Sequence, residues 1–123
     1  DIIISSGREI IFKQTGADIA LVQFDELCRT ALAAGDFLII ADRFKGLLMQ
    51  DVPVLGDDQR DAARRFMWLV DALYDRGRFL VIGAAVAREE IYTGEDWQFE
   101  FSRTLSRLTQ MSRYHLPSQD EGF

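Results

Sequence analysis

The sequence predicts an α/β domain: a β-hairpin followed by a short βαβ mixed sheet, packed by helices. Three observations carry this expectation. Two apolar runs, residues 9–12 and 19–24, flank the polar stretch 13–18, whose Gly16 suits a turn. A long amphipathic stretch between Gly56 and Gly77 follows the apolar Leu47-Leu48-Met49. The uncharged run Phe79-Leu80-Val81-Ile82 comes straight after it. Strand, long helix and strand in that order make a βαβ unit, whose crossover is right-handed.

Each element has its own reason. Asp36 can cap a helix running to about residue 45, with Phe37, Ile40, Ala41 and Phe44 on one stripe and Gly46 beyond its end. Leu47 to Met49 then reads as a short buried strand ending at Asp51 and Pro53. Gly56, Asp57 and Asp58 open the longest helix, with acids where its dipole is positive, and Gly77 stops it. At about 100° per residue, Ala62, Ala63, Phe66, Met67, Leu69, Val70, Leu73 and Tyr74 share one core-facing arc, with Arg64, Asp71 and Asp75 opposite. The continuous apolarity of residues 79–82 fits a strand covered on both faces. Residues 88–91 read as one helical turn and 92–96 as a polar loop. From about Phe99, the stripe Phe101, Leu105 and Leu108 makes a last helix reaching about Met111, and Pro117 closes the ordered part. The expected organisation is one module over residues 1–117, with the hairpin at about 7–24 and the helical and βαβ part at 25–117. Residues 118–123 form a polar, flexible tail.

Composition bounds the possibilities. With 123 residues, 48% hydrophobic and 28% charged, the chain has ordinary globular composition and enough apolar material for one core. It opens on Asp1 rather than methionine, which suggests a segment cut or processed from something longer. No stretch approaches the roughly 20 apolar residues of a membrane span, and residues 2–4 are too short an apolar opening for a signal peptide. The net charge of −6 and pI of about 4.7 argue against a nucleic-acid surface; Lys13 and Lys45 are the only lysines. Cys28 and His115 are each the sole residue of their type. An intrachain disulfide and a Cys/His zinc site are therefore excluded, and Cys28 reads as a small buried apolar side chain rather than a reactive thiol.

The chemistry legible in the chain is anionic recognition, not catalysis. A phosphate-binding loop needs glycines that let backbone N–H groups curl around phosphate, then a lysine reaching the terminal phosphates. Neither lysine follows a glycine, so Gly-Lys-Ser/Thr is absent. Residues 47–51 superficially resemble a metal-holding strand end, but Val52 stands where a catalytic acid would follow; Asp51 reads as a strand-end carboxylate in a turn, the alternative being a degenerate copy of a nucleotide-binding half. No His, Cys or Ser stands in a nucleophile arrangement, so no catalytic residue and no metal ligand is assigned. Arg103 and Arg107 are the sharper signal. They stand one turn apart, opposite the apolar stripe, and like charges at that spacing cost a helix roughly 0.2–0.5 kcal/mol unless an anion relieves them. The guanidinium fork suits a carboxylate or a phosphate. Either the chain's own acids, such as Asp71, Asp75 or Glu100, pair with them, or the helix faces a nucleotide or acidic partner across a boundary. Arg64 lies on the polar face of the long helix within reach of Asp61 and Asp71. Trp68 falls at the centre of that face, covered either by another element of the chain or by an interdomain contact, since large aromatics are enriched at interfaces.

The run Ala62-Ala63-Arg64-Arg65-Phe66-Met67-Trp68-Leu69-Val70-Asp71-Ala72-Leu73-Tyr74-Asp75, the apolar segment 79–85 and Phe99-Glu100-Phe101-Ser102-Arg103-Thr104-Leu105-Ser106-Arg107-Leu108 resemble the carboxy-terminal part of the ZapE-type AAA+ ATPases of bacteria and mitochondria. Phe24-Asp25-Glu26-Leu27-Cys28, Gly35-Asp36-Phe37-Leu38 and Val52-Pro53 with Leu55 extend the resemblance over most of the chain. The family pattern Phe-x-Arg-Thr-x-Ser-Arg-Leu matches residues 101–108 position by position; Gln110 departs from the acid usual there, and Trp68 from a small polar residue. The resemblance implies a carboxy-terminal module of an AAA+ ATPase whose phosphate-binding motifs lie upstream. It implies ATP and Mg²⁺ as cofactors of the parent protein and none in this chain. Its implied partners are the chain's own upstream ATPase domain, further copies in a homo-oligomer, and protein substrates. The implied role is coupling ATP hydrolysis to protein remodelling, in division-related regulation in the bacterial cytoplasm or in protein quality control in mitochondria. A stand-alone protein-interaction domain without nucleotide dependence is the alternative.

Overall fold

The computed structural model describes residues 2–5, 8–11, 13–16, 18–30 and 32–112, with side chains described over 18–30, 32–87 and 89–111. His115, Pro117 and the expected tail at 118–123 lie outside the described residues. Strands β1 (Ile2–Ser5) and β2 (Arg8–Ile11) pair antiparallel as a separate ribbon, with Ile3 opposite Ile10. The main sheet has the order β3 (Lys13–Gly16), β4 (Ile19–Gln23), β5 (Gly46–Val52), β6 (Phe79–Ala84). Helices α1 (Phe24–Cys28) and α2 (Ala34–Arg43) connect β4 to β5, α3 (Arg60–Asp75) connects β5 to β6, and α4 (Gln98–Ser112) follows.

The α/β class is as expected, but the sheet is built on three parallel strands rather than on a hairpin. Residues 19–23 pair in parallel with 46–50, and β5 pairs in parallel with β6. Residues 9–11 pair with β1, and the strand lying antiparallel to β4 is the polar Lys13–Gly16, which the pattern had marked as a turn. An edge strand exposes its outer side and therefore tolerates polar residues, so alternation of apolar side chains gives no signal for it. Asp18, with φ of 65°, completes the tight reversal into β4.

Three further expectations are corrected. Strand β6 is less deeply buried than expected: Leu80 is fully buried, whereas Val81 and Ile82 are half-buried. Tyr74, assigned to the core arc, is exposed, and its hydroxyl donates to Gln110 Oε1 at 2.8 Å. Asp36 acts inside the first turn of α2 rather than as its cap; its Oδ2 accepts the Ala33 N–H at 2.8 Å. Of the remaining arc of α3, Ala62, Ala63, Phe66, Leu69, Val70 and Leu73 are buried and Met67 is half-buried against the core, and Gly77 ends the helix with φ of 70°. Phe66 is the centre of the core, its ring 6.0 Å from that of Phe24 and 6.1 Å from that of Phe101. These contacts tie α1, α3 and α4 into one layer.

Candidate functional site

Helices α3 and α4 lie side by side and parallel, which a constant offset along their contact line establishes. Arg107 Nη1 pairs with Asp71 Oδ1, and Tyr74 with Gln110, both across 36 residues. Arg60 and Asp96, 3.2 Å apart, keep the same offset at the start of the pair. Phe101, Leu108 and Met111 are buried beneath this line, with Leu105 half-buried against the core. Thr104 is buried too, its hydroxyl donating to Glu100 O at 3.2 Å, so no polar group is stranded.

The two arginines of α4 are placed in different environments. Arg107 is half-buried, ion-paired with Asp71, and stacked 5.0 Å from the Tyr74 ring centroid. Arg103 is exposed and has no ion pair among the described residues. Its neighbour one turn back, Phe99, is 77% exposed, the most exposed large apolar side chain among the described residues. Phe99, Arg103, Ser106 and Gln110 follow one stripe opposite the buried face. The Asp71 carboxylate thus compensates Arg107, whereas Arg103 has no carboxylate partner of its own among the described residues.

Arg64 is exposed, pairs with Asp61 at 2.8 Å, and lies over two indole rings, 5.5 Å from Trp68 and 6.0 Å from Trp97. Arg60 stacks on the other ring neighbour, 5.1 Å from Trp97. Trp68 is half-buried against the core, covered on one side by its own chain and by the Arg64 guanidinium. Trp97 and Arg60 were not singled out by the sequence, whereas Arg65 was, beside Arg64, as a weaker case of the same arginine pattern. The usable signal was the Arg60/Arg64 spacing, which repeats that of Arg103/Arg107, and an indole immediately before α4.

The end of this surface opens into a cleft of about 560 Å³ lined by Arg29, Arg60, Arg64, Arg65, Trp97 and the acids Asp57, Asp58 and Asp61. Arg65 donates to two carbonyls, Leu32 O at 3.2 Å and Cys28 O at 3.3 Å, tying α3 to the negative end of α1. Arg29 reaches Asp25 at 3.4 Å and Gln59 Oε1 at 2.8 Å. Asp57 holds the loop before α4 by accepting the Glu95 N–H at 3.1 Å, and Tyr92 accepts the Trp97 N–H at 3.0 Å. Desolvation pushes the Tyr92 phenol upward from its ordinary range; the Trp97 N–H opposes this and the Asp57 charge adds to it. Desolvation also pushes the buried Cys28 thiol far up, against the pull of Arg65, which fits an inert structural cysteine.

Asp51 stands exposed with φ of 61° where the β5–β6 register shifts between Met49 and Val52, a carboxylate in a bulge. Among the described residues no three His, Cys, Asp or Glu side chains gather as a metal-binding group. No helix of the described residues is long and apolar enough to cross a membrane.

A sequence profile of the AFG1-like ATPase family matches residues 2–118, nearly the whole chain. The chain belongs to the AFG1-like ATPase family. This agrees with the ZapE-type resemblance carried by residues 62–75 and 101–108. The Cell division protein ZapE of Escherichia coli strain K12 is 41% identical over 90 residues, covering 73% of this chain and 24% of that protein. Lactation elevated protein 1 homolog B of Danio rerio is 31% identical over 137 residues, covering 85% of this chain and 27% of the relative. The Schizosaccharomyces pombe protein C115.02c is 28% identical over 135 residues, covering 87% and 30%. The chain therefore spans about a quarter to a third of the length of these relatives. No solved structure matches it.

Proposed function

We propose that this chain is the non-catalytic carboxy-terminal module of a longer AAA+ ATPase, coupling ATP hydrolysis upstream to work on protein partners. The observation that carries this reading is the division of labour on α4. Arg107 is consumed by Asp71, whereas Arg103 projects into solvent beside the exposed Phe99, without a carboxylate among the described residues. An arginine presented this way supplies a bidentate donor to an anion across a domain or subunit boundary, either a nucleotide phosphate or an acidic side chain. Trp68 and Arg64 extend the same contact surface along α3. The parent supplies the phosphate cradle and binds ATP with Mg²⁺, since this chain has no Gly-Lys-Ser/Thr. A homo-oligomer provides the neighbouring subunit. The name of the Escherichia coli relative supports a division-related role, which we place in a bacterial cytoplasm; protein quality control in mitochondria is the other setting that the ZapE-type resemblance implies.

The test separates the two arginines in the full-length protein. Arg103→Gln is expected to lower ATP turnover or assembly while leaving the folded state intact. Arg107→Gln is expected to lower the melting temperature and to leave turnover, measured where both proteins are folded, nearly unchanged. Wild-type turnover and oligomer size in Arg103→Gln would leave Arg103 a solvated surface residue and overturn the reading.

A further inference from the structure

Helix α4 turns one face to the core, and its opposite face carries two side chains with no partner among the described residues. At about 100° per residue, Phe99, Ser102, Arg103, Ser106 and Gln110 share one arc of roughly 100°, and all five are exposed. Gln110 accepts the Tyr74 hydroxyl. Phe99 and Arg103 are different. Phe99 is 77% exposed, whereas the next large apolar side chains among the described residues, Ile39 and Val54, are 42% exposed. It lies outside the core cluster and makes no ring contact among the described residues. Arg103, one turn on, makes neither a hydrogen bond nor an ion pair there. A phenylalanine ring left in water forfeits the burial of roughly 150–250 Å². Phe101 and Thr104 of the same two turns are buried, so the pair stands on a fixed piece of backbone.

We propose that Phe99 and Arg103 dock a protein segment presenting a carboxylate beside a large apolar side chain, and that this segment belongs to the part of the longer protein outside this chain. The proposal rests on the reading above and narrows its anion from carboxylate or phosphate to carboxylate. A triphosphate calls for several cationic donors, and this face offers one, since Arg107 is committed to Asp71. Glu100, exposed three residues before Arg103, adds a negative charge that a phosphate would have to face. A phosphate also makes no use of the Phe99 ring. An acidic and apolar segment uses both: the guanidinium fork takes the carboxylate in two parallel hydrogen bonds, and the ring is buried against the apolar side chain. Aromatic and arginine side chains are the usual anchors of protein contacts. Ser102 and Ser106 beside them are short enough to let a second backbone approach. The face from Phe99 to Gln110 is roughly 17 Å long by helical rise, and at about 10 Å wide it falls far below the ~800 Å² per partner that separate molecules need. A segment of the same polypeptide escapes that requirement, since its linker fixes its effective concentration. The relatives carry about three-quarters of their length beyond the matched segment, which supplies it.

Photocross-linking tests this in the full-length protein, with p-benzoylphenylalanine in place of Phe99 and the linked peptides mapped by mass spectrometry. The expected product has monomer mobility on a denaturing gel and joins position 99 to one upstream peptide that contains Asp or Glu. Its yield is expected to fall at least about fivefold when Arg103→Gln is added, and changing the linked acid to Lys is expected to restore it in an Arg103→Glu background, as a double-mutant cycle reads a direct contact. No cross-link, or one that returns to residues 1–123 of the same chain, would overturn the proposal. A product of dimer mobility would overturn it in favour of a second copy. Calorimetric titration separates the two anions: Mg·ATP affinity of the full-length protein is expected to be unchanged in Arg103→Gln, and a loss of tenfold or more would assign the arginine to phosphate instead. Wild-type turnover in Arg103→Gln together with loss of the cross-link would keep this contact and defeat only the coupling role.

Discussion

Arg107 and Cys28 show how one side chain's surroundings decide its role. Removing the Arg107 guanidinium leaves the Asp71 carboxylate half-buried beside Tyr74 without its partner, so Arg107→Gln is expected to cost about 1 kcal/mol. On a domain of this size that reads as a melting point lower by about 4 °C. Arg103→Gln, which breaks no ion pair among the described residues, should stay within about 0.5 kcal/mol of wild type. Thermal denaturation of the two variants side by side checks both. Cys28 gives a pH signature. Its thiol is held neutral in the folded state by desolvation, while an unfolded thiol ionises near pH 8.5. The unfolded chain therefore binds fewer protons above that pH, and linkage makes stability fall as pH rises from about 8.5 toward 10, having been fully present below. Denaturant titrations across that window should show the decline in wild type and a flatter profile in Cys28→Ala; identical slopes would contradict the assignment.

At the scale of elements, legibility followed the distance over which each interaction acts. Helix α3 was readable from residues 56–77 because its buried arc and its stop at Gly77 are local properties of the chain. Strand pairing was not, since nothing local in Ile19–Gln23 states that its partner is the Gly46 segment rather than the nearer apolar run. Tyr74 was misplaced for a related reason: periodicity put it on the buried arc, and only the neighbouring helix decides that it ends at the rim with Gln110. The same limit applied to the candidate site, where Arg103 and Arg107 look alike in sequence and are separated only by Asp71 on a different helix. The joint between β5 and β6 can be tested directly. Gly46 is buried under the Phe79 ring, so Gly46→Ala pushes a methyl into that ring and is expected to cost about 1–3 kcal/mol. Phe79→Leu should recover much of the loss in the double variant, as a chemical-denaturation cycle would show; equal penalties in both backgrounds would mean that the strain lies elsewhere. Phe66→Ala removes the ring shared by α1, α3 and α4 and should cost roughly 3–5 kcal/mol, with a change under about 1 kcal/mol arguing against this core.

For the whole molecule, the question is whether a chain so rich in arginine at one end binds nucleotide unaided. The cleft of about 560 Å³ beside Trp97 is large enough for one, and four arginines line it. Their charges are already spent within the fold. Arg29 is held by Asp25 and Gln59, Arg60 by Asp96, Arg64 by Asp61, and Arg65 by the carbonyls of Cys28 and Leu32. A triphosphate entering the cleft has to break these pairs while facing Asp57, Asp58 and Asp61, and the net charge of −6 adds a repulsive long-range field. No glycine-rich loop offers backbone N–H groups in compensation. Calorimetric titration of the isolated chain with Mg·ATP is therefore expected to give no measurable saturation at millimolar nucleotide. A micromolar constant would mean that the cleft repacks to release its arginines, and would move the nucleotide site into this module. If the constant appears only in the full-length protein, and weakens or loses its turnover on Arg103→Gln, binding belongs to the upstream domain and the exposed arginine of α4 is what this module contributes to it.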